Sequence, residues 1–189
     1  DRLQQAIRHA HRYGGKVGVL YVDLDRFKEI NDQHGHHVGD AVLTEVAKRL
    51  TFSIRDSDSV ARLGGDEFVV LLEEVQGRDD CLAAAYKIQQ VLNVDTVFFG
   101  LDVVIAASIG QALFPEDGAD EDALIRAADA AMYRAKHDGR NTYRYFTAEM
   151  QARSAHSLQM ENALRRAAER NQLQLHYQPQ ISLQNGSLI

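Results

Sequence analysis

Acidic residues at the ends of apolar runs mark where this sequence can do chemistry. Gly64-Gly65-Asp66-Glu67-Phe68 sets two acids side by side, with Val60-Ala61-Arg62-Leu63 before them and Phe68-Val69-Val70-Leu71-Leu72 after. Two glycines between such runs predict a hairpin with a tight primed turn, Gly64 and Gly65 both at positive φ. Adjacent carboxylates at its tip repel each other unless a cation lies near. In an extended strand they point to opposite faces, which suggests divided labour: one acid on a metal, the other binding or handling a proton. A solvated acidic turn is the plainer alternative. Asp23 closes the apolar run Val17-Gly18-Val19-Leu20-Tyr21-Val22. It reads equally as a hard oxygen ligand for Mg²⁺ and as a helix cap, whereas Asp25 reads as the cap.

Between Asn31 and Asp40 the chain carries Asp32-Gln33-His34-Gly35-His36-His37-Val38-Gly39. Asn31 offers a donor and an acceptor and Asp40 a pair of acceptors, which suits the donor-rich Watson–Crick edge of guanine. Three histidines here invite zinc, but no Cys or carboxylate stands at a matching spacing. Lys28, Lys136 and Arg140 form a cationic set. Phosphate binding and complementation of a helix dipole are both open to it, and spacing does not decide.

The elements that must position these groups alternate. A helix ending at Gly14-Gly15 precedes a buried strand from Val17, and a second helix is expected after Gly39-Asp40, with Val42, Leu43, Val46, Ala47 and Leu50 at helical spacing. Then come the hairpin, a helix from about Cys81 to Val91, one strand over Val103–Ile109, and a break at Pro115-Glu116-Asp117-Gly118. A final helix runs from Glu121 to His137, with Gly139 as its left-handed stop. The pattern predicts an α/β (α+β) sandwich on a mostly antiparallel sheet with flanking helices.

Composition narrows the function classes. The 189 residues carry a net charge of −6, with 45% apolar and 25% charged residues, as in a globular domain with a real core. That balance excludes a basic nucleic-acid surface but not a nucleotide, since a metal and a few local cations can hold one triphosphate. The single cysteine, Cys81, excludes an internal disulfide and fits a reducing compartment. The expectation is a cytoplasmic domain with no membrane contact of its own.

In their order and spacing these motifs resemble the GGDEF family of diguanylate cyclases over roughly residues 1–146. The resemblance rests on Gly64-Gly65-Asp66-Glu67-Phe68; on Asp23-Leu24-Asp25-Arg26-Phe27-Lys28-Glu29-Ile30-Asn31-Asp32 with Gly35-His36 and Gly39-Asp40; and on Ser108-Ile109-Gly110, Phe114-Pro115-Glu116-Asp117-Gly118, Ala128-Asp129-Ala130-Ala131-Met132-Tyr133 with Lys136, and Gly139-Arg140-Asn141. It implies a palm-like nucleotide cyclase that condenses two GTP into cyclic di-GMP and two pyrophosphates as a homodimer. It also implies Mg²⁺ or Mn²⁺ on Asp23, Glu67 and the Leu24 carbonyl. Asp66 would be a second metal ligand or a helper in deprotonating the attacking 3′-hydroxyl. Asn31 and Asp40 would hold guanine, Lys28, Lys136 and Arg140 would meet the triphosphate, and Phe27 would back the site. Arg55 and Asp58, an Arg-x-x-Asp pair with five residues between Asp58 and Gly64, match the family's inhibitory product site; a surface ion pair is the alternative.

Beyond residue 147 the texture changes. Residues 148–171 read as a connecting helix, and residues 172–189, with Leu175-His176-Tyr177-Gln178-Pro179 and Asn185-Gly186, resemble the truncated opening hairpin of an EAL-type phosphodiesterase. A competing function is therefore a catalytically silent GTP- or product-binding module that regulates such a domain.

Overall fold

The computed structural model describes residues 1–150 continuously and scattered residues beyond, up to 184. It divides into Asp1–Ser154 and Ala155–Ile189. In chain order the elements are α1 (Arg2–Tyr13), β1 (Lys16–Leu24), α2 (Phe27–His34), α3 (His36–Ser53), β2 (Ser59–Gly64), β3 (Glu67–Val75), α4 (Arg78–Leu92), β4 (Thr96–Phe98), β5 (Leu101–Val103), β6 (Ala107–Phe114), α5 (Glu121–His137) and β7 (Tyr143–Tyr145). In the second unit the described residues among 160–167 are helical, whereas Asn185-Gly186 lies outside the described residues.

Five strands make one sheet in the order β2-β3-β1-β6-β7. All its pairings are antiparallel except β6 with β7, which are parallel. From β1 to β6 this is a βαββαβ split motif, with α5 and β7 added. The α+β architecture with a largely antiparallel sheet is thus as expected. Strand alternation sorts the core into two layers. Leu20, Val22, Val70 and Leu72 pack with Val42, Leu50, Ile88 and Leu92 of α3 and α4. Val19, Tyr21, Val69 and Leu71 pack with Leu3 and Ile7 of α1 and with Leu124, Ala128 and Met132 of α5. β1 is covered on both faces, so its sequence is almost continuously apolar.

Local signals account for the ends of the best-read elements. α1 stops where Gly14 takes φ +75°, and α5 starts where Asp120 Oδ1 accepts the Ala123 N–H at 2.7 Å. Such a cap is worth about 1 kcal/mol.

Four local expectations are corrected. Gly64 pairs with Glu67, so the central turn residues are Gly65 and Asp66, and of the two glycines only Gly65 has positive φ, +53°. Phe27–His34 is a separate helix for which the sequence offers no more than a cap at Asp25, because Phe27 is its sole buried residue and no apolar period announces it. α3 begins at His36, before Gly39-Asp40 rather than after, with Gly35 at φ +87°. The expected strand over Val103–Ile109 is two: Val103 ends the small β4–β5 sheet and Ala107 begins β6.

One close approach sets the depth of α5. A methyl group on Gly110 of β6 would lie 1.9 Å from the Ala128 carbonyl oxygen and 2.2 Å from the Met132 nitrogen, both backbone atoms. Gly110→Ala must push the helix outward, so a loss of about 3 kcal/mol is expected. The urea midpoint of unfolding measures it, and an unchanged midpoint would contradict the packing described.

Candidate active site

The β1–β3 register places Asp23 directly opposite Glu67. Opposed residues on neighbouring strands share a face, with Cβ atoms about 5 Å apart. Here two carboxylates meet on the α5 side of the sheet. Lys136 reaches down from α5 and puts its Nζ 2.7 Å from Asp23 Oδ2. Asp23 is buried, and its pKa is raised above the ordinary carboxylate value, first by lost solvation and further by Asp66 and Glu67. Lys136 opposes the rise. Asp129, two turns before Lys136 on the same helix, is also raised, by lost solvation and then by Glu67. The Tyr21 phenol is driven far up by burial and by its charge interaction and hydrogen bond with Glu67. Six ionisable groups, Tyr21, Asp23, Asp66, Glu67, Asp129 and Lys136, thus interact at this end of the sheet. Tyr21 and Asp129 were given no role from sequence; the seven-residue spacing of Asp129 and Lys136 was the available signal.

Asp25 is not a helix cap. Arg26 precedes α2 with φ +58° and no side-chain cap bond. Asp25 Oδ1 instead accepts the Ser108 hydroxyl at 2.8 Å, and Oδ2 accepts the Asn141 N–H at 2.8 Å. The Asp25 N–H donates to the Ala106 carbonyl at 2.9 Å. In the loop after α5, Gly139, Arg140 and Asn141 have φ of +116°, +63° and +44°. Left-handed conformations of non-glycine residues cost on the order of 1 kcal/mol or more each and persist only where neighbours enforce them. Gln89 Nε2 donates to the Asn141 carbonyl from the other side. The Arg140 side chain is exposed.

The remaining residues form a second group. A Cβ on Gly39 would meet Asn31 Oδ1 at 2.0 Å and Phe27 Cζ at 3.2 Å, so α2 and α3 touch here and bring Asn31 beside the residue preceding Asp40. Asp40 opens onto a groove of about 720 Å³, walled by Leu43, Val60, Arg62 and Phe68. Arg62 clamps the turn by donating to the Gly65 carbonyl from Nε and Nη2, at 2.9 and 2.7 Å. Lys28 is exposed on α2. Arg55 and Asp58 lie elsewhere: with Lys87 and Glu73 they line a 220 Å³ pocket between α3 and α4. Asp58 is spent on backbone, its Oδ2 accepting the Arg55 N–H and its Oδ1 the Glu73 N–H, at 3.0 and 3.1 Å.

Among the described residues no three His, Cys, Asp or Glu side chains cluster tightly enough to enclose a metal on their own. Mg²⁺ does not require such a cluster, since it keeps waters and takes one or two carboxylates plus substrate phosphates. The donor set is right for such an ion: Asp23 and Glu67 are hard oxygen donors in register, and Asp23 already draws an ammonium cation. Leu24 is held alongside by its N–H, which donates to the Asp66 carbonyl at 3.2 Å.

The sheet thus carries paired acids at the ends of its two central strands, with the groove of Asp40 and Phe68 beside the strand that bears Glu67. Residues 1–142 match the family described as diguanylate cyclase, GGDEF domain, and the chain belongs to that family. It is 46% identical, over its whole length, to the bifunctional diguanylate cyclase/cyclic di-GMP phosphodiesterase MucR of Pseudomonas aeruginosa, and 41% identical over 96% of its length to the cyclic di-GMP phosphodiesterase PdeR of Escherichia coli. It spans 27% of the length of each. The crystal structure of the GGDEF domain of TpbB from P. aeruginosa superposes with a TM-score of 0.76 at 42% identity, covering 77% of this chain and 91% of that one. No helix among the described residues is long and apolar enough to cross a membrane.

Because the folded-state pKa of Asp23 is raised, its ionisation opposes folding. The penalty is absent below the unfolded value near 3.8 and grows as pH rises past it. Asp23→Asn should therefore be more stable than wild type at pH 7, with the difference vanishing near pH 3. Chemical denaturation at the two pH values measures both; a less stable variant at pH 7 would contradict the stated balance.

Proposed function

We propose that this domain is a diguanylate cyclase that condenses two GTP into cyclic di-GMP with loss of two pyrophosphates. The pairing of Asp23 with Glu67 beneath Lys136 carries the reading. A divalent cation, Mg²⁺ or Mn²⁺, held by Asp23, Glu67 and the Leu24 carbonyl with Asp66 beside them, would neutralise phosphate charge in the transition state. Asn31 and Asp40 orient guanine at the α2–α3 contact, which Phe27 backs beside Gly39. Lys28, Lys136 and Arg140 draw in the triphosphate, Lys136 leaving Asp23 as it does so. Asp66 takes the proton of the attacking 3′-hydroxyl. A new ester bond then forms at the α-phosphorus of the facing nucleotide while the α–β anhydride bond breaks and pyrophosphate leaves. Positioning and charge neutralisation supply most of the rate in such transfers. Each domain binds one GTP, so two copies must face each other. We place the reaction in the cytoplasm.

Product inhibition belongs to the pocket of Arg55 and Asp58. Asp58 fixes the loop, which leaves the Arg55 guanidinium and the Lys87 ammonium as the cations available for a phosphate. We also read residues 172–189 as the start of an EAL-type domain, since the similarity to MucR runs through the last residue. The phosphodiesterase name of PdeR favours a second reading, a regulatory GTP-binding domain without turnover.

Pyrophosphate release from GTP and Mg²⁺, with chromatography of the cyclic dinucleotide, separates the two readings. Turnover that falls at least 10³-fold in Glu67→Gln is expected. Tight GTP binding with no product would establish the regulatory reading instead. Arg55→Ala should retain initial turnover and lose inhibition by added cyclic di-GMP; inhibition of undiminished strength would sink the pocket's assignment.

A further inference from the structure

The cyclase reading gives Arg140 a phosphate to hold but leaves unexplained how an exposed arginine on a left-handed loop keeps one direction. Asp25 answers this. It joins three segments of the site: its backbone N–H ties the end of β1 to residue 106, its Oδ1 takes the Ser108 hydroxyl beside Asp23 in the register, and its Oδ2 takes the Asn141 N–H. Ser108 is fully buried, so the Asp25 carboxylate is anchored on the sheet and not on solvent-facing groups. The loop it grips is held at every turn: the Arg140 N–H donates to the Ala135 carbonyl at 3.2 Å, Gln89 reaches the Asn141 carbonyl, and the Thr142 carbonyl accepts the Ile109 N–H at 2.9 Å. Of these restraints, only the Asp25 carboxylate links the loop to the strand that bears Asp23.

Resting on the cyclase reading, we infer that Asp25 is a positioning residue: through the Asn141 amide it fixes the loop so that the Arg140 guanidinium meets the same triphosphate that Asp23 and Lys136 serve. The nucleoside end of the substrate is untouched by this link. Asp25→Asn keeps the shape and one acceptor but loses the second acceptor and the charge. It should weaken the triphosphate contact while guanine recognition by Asn31 and Asp40 continues.

Equilibrium binding of the α,β-methylene analogue of GTP, which cannot lose pyrophosphate, and of GMP, both with Mg²⁺, tests the link in the whole chain. Asp25→Asn and Arg140→Ala should each weaken the analogue about tenfold, as for one charge-assisted hydrogen bond. GMP affinity should stay within about twofold in both. The double variant should be no weaker than Arg140→Ala alone, since Asp25 acts through that arginine. Ser108→Ala, a milder lesion of the same anchor, should shift the analogue in the same direction. Independent effects that multiply to about a hundredfold, or equal losses for GMP and the analogue, would overturn the assignment by making Asp25 a general scaffold. Wild-type protein that binds neither nucleotide would overturn the cyclase reading and this link with it.

Discussion

The site depends on a repulsion left in place. Asp23 and Glu67 are opposed across two central strands, where like charges cost stability, and Asp66 adds a third acid within range. Hydrophobic pairing along the rest of the register, Tyr21 with Val69 and Val19 with Leu71, holds the acids there. Lys136 relieves part of the conflict in the resting domain. Negative charge kept at one strand end favours cations there, and under the proposed cyclase reading a nucleotide arriving with its metal would supply them.

That arrangement needs α5 close to the sheet. Gly110 allows backbone-to-backbone contact between β6 and α5, and the small residues Ala127, Ala128, Ala131 and Ala135 line the helix face that is buried. A thicker layer would lift the Lys136 ammonium away from Asp23. The helix therefore serves both the core and the site, with Leu124 and Met132 packing inward while Asp129 and Lys136 reach the strand end.

β3 connects two separate features. Glu67 stands at its first residue and Glu73, which lines the Arg55 pocket, lies six residues on, about 20 Å along an extended strand. A ligand in that pocket would lie away from Asp23 and Glu67, so under the proposed cyclase reading inhibition from there would act on how two domains face each other.

Sequence alone determined the long elements and the acids' identity. β1, α1 and α5 announce themselves through apolar runs and caps, and the end of α5 was legible because Gly139 punctuates it. The family resemblance singled out Asp23, Glu67 and Lys136. What it could not give was register: which of two neighbouring acids faces Asp23 depends on one residue of slip between strands that are 44 positions apart in sequence, and only the packed sheet fixes that. For the same reason Asp25 read as a cap. Its partners, Ser108 and Asn141, are 83 and 116 residues away, and a side chain's choice between a local backbone and a distant one is made by the fold.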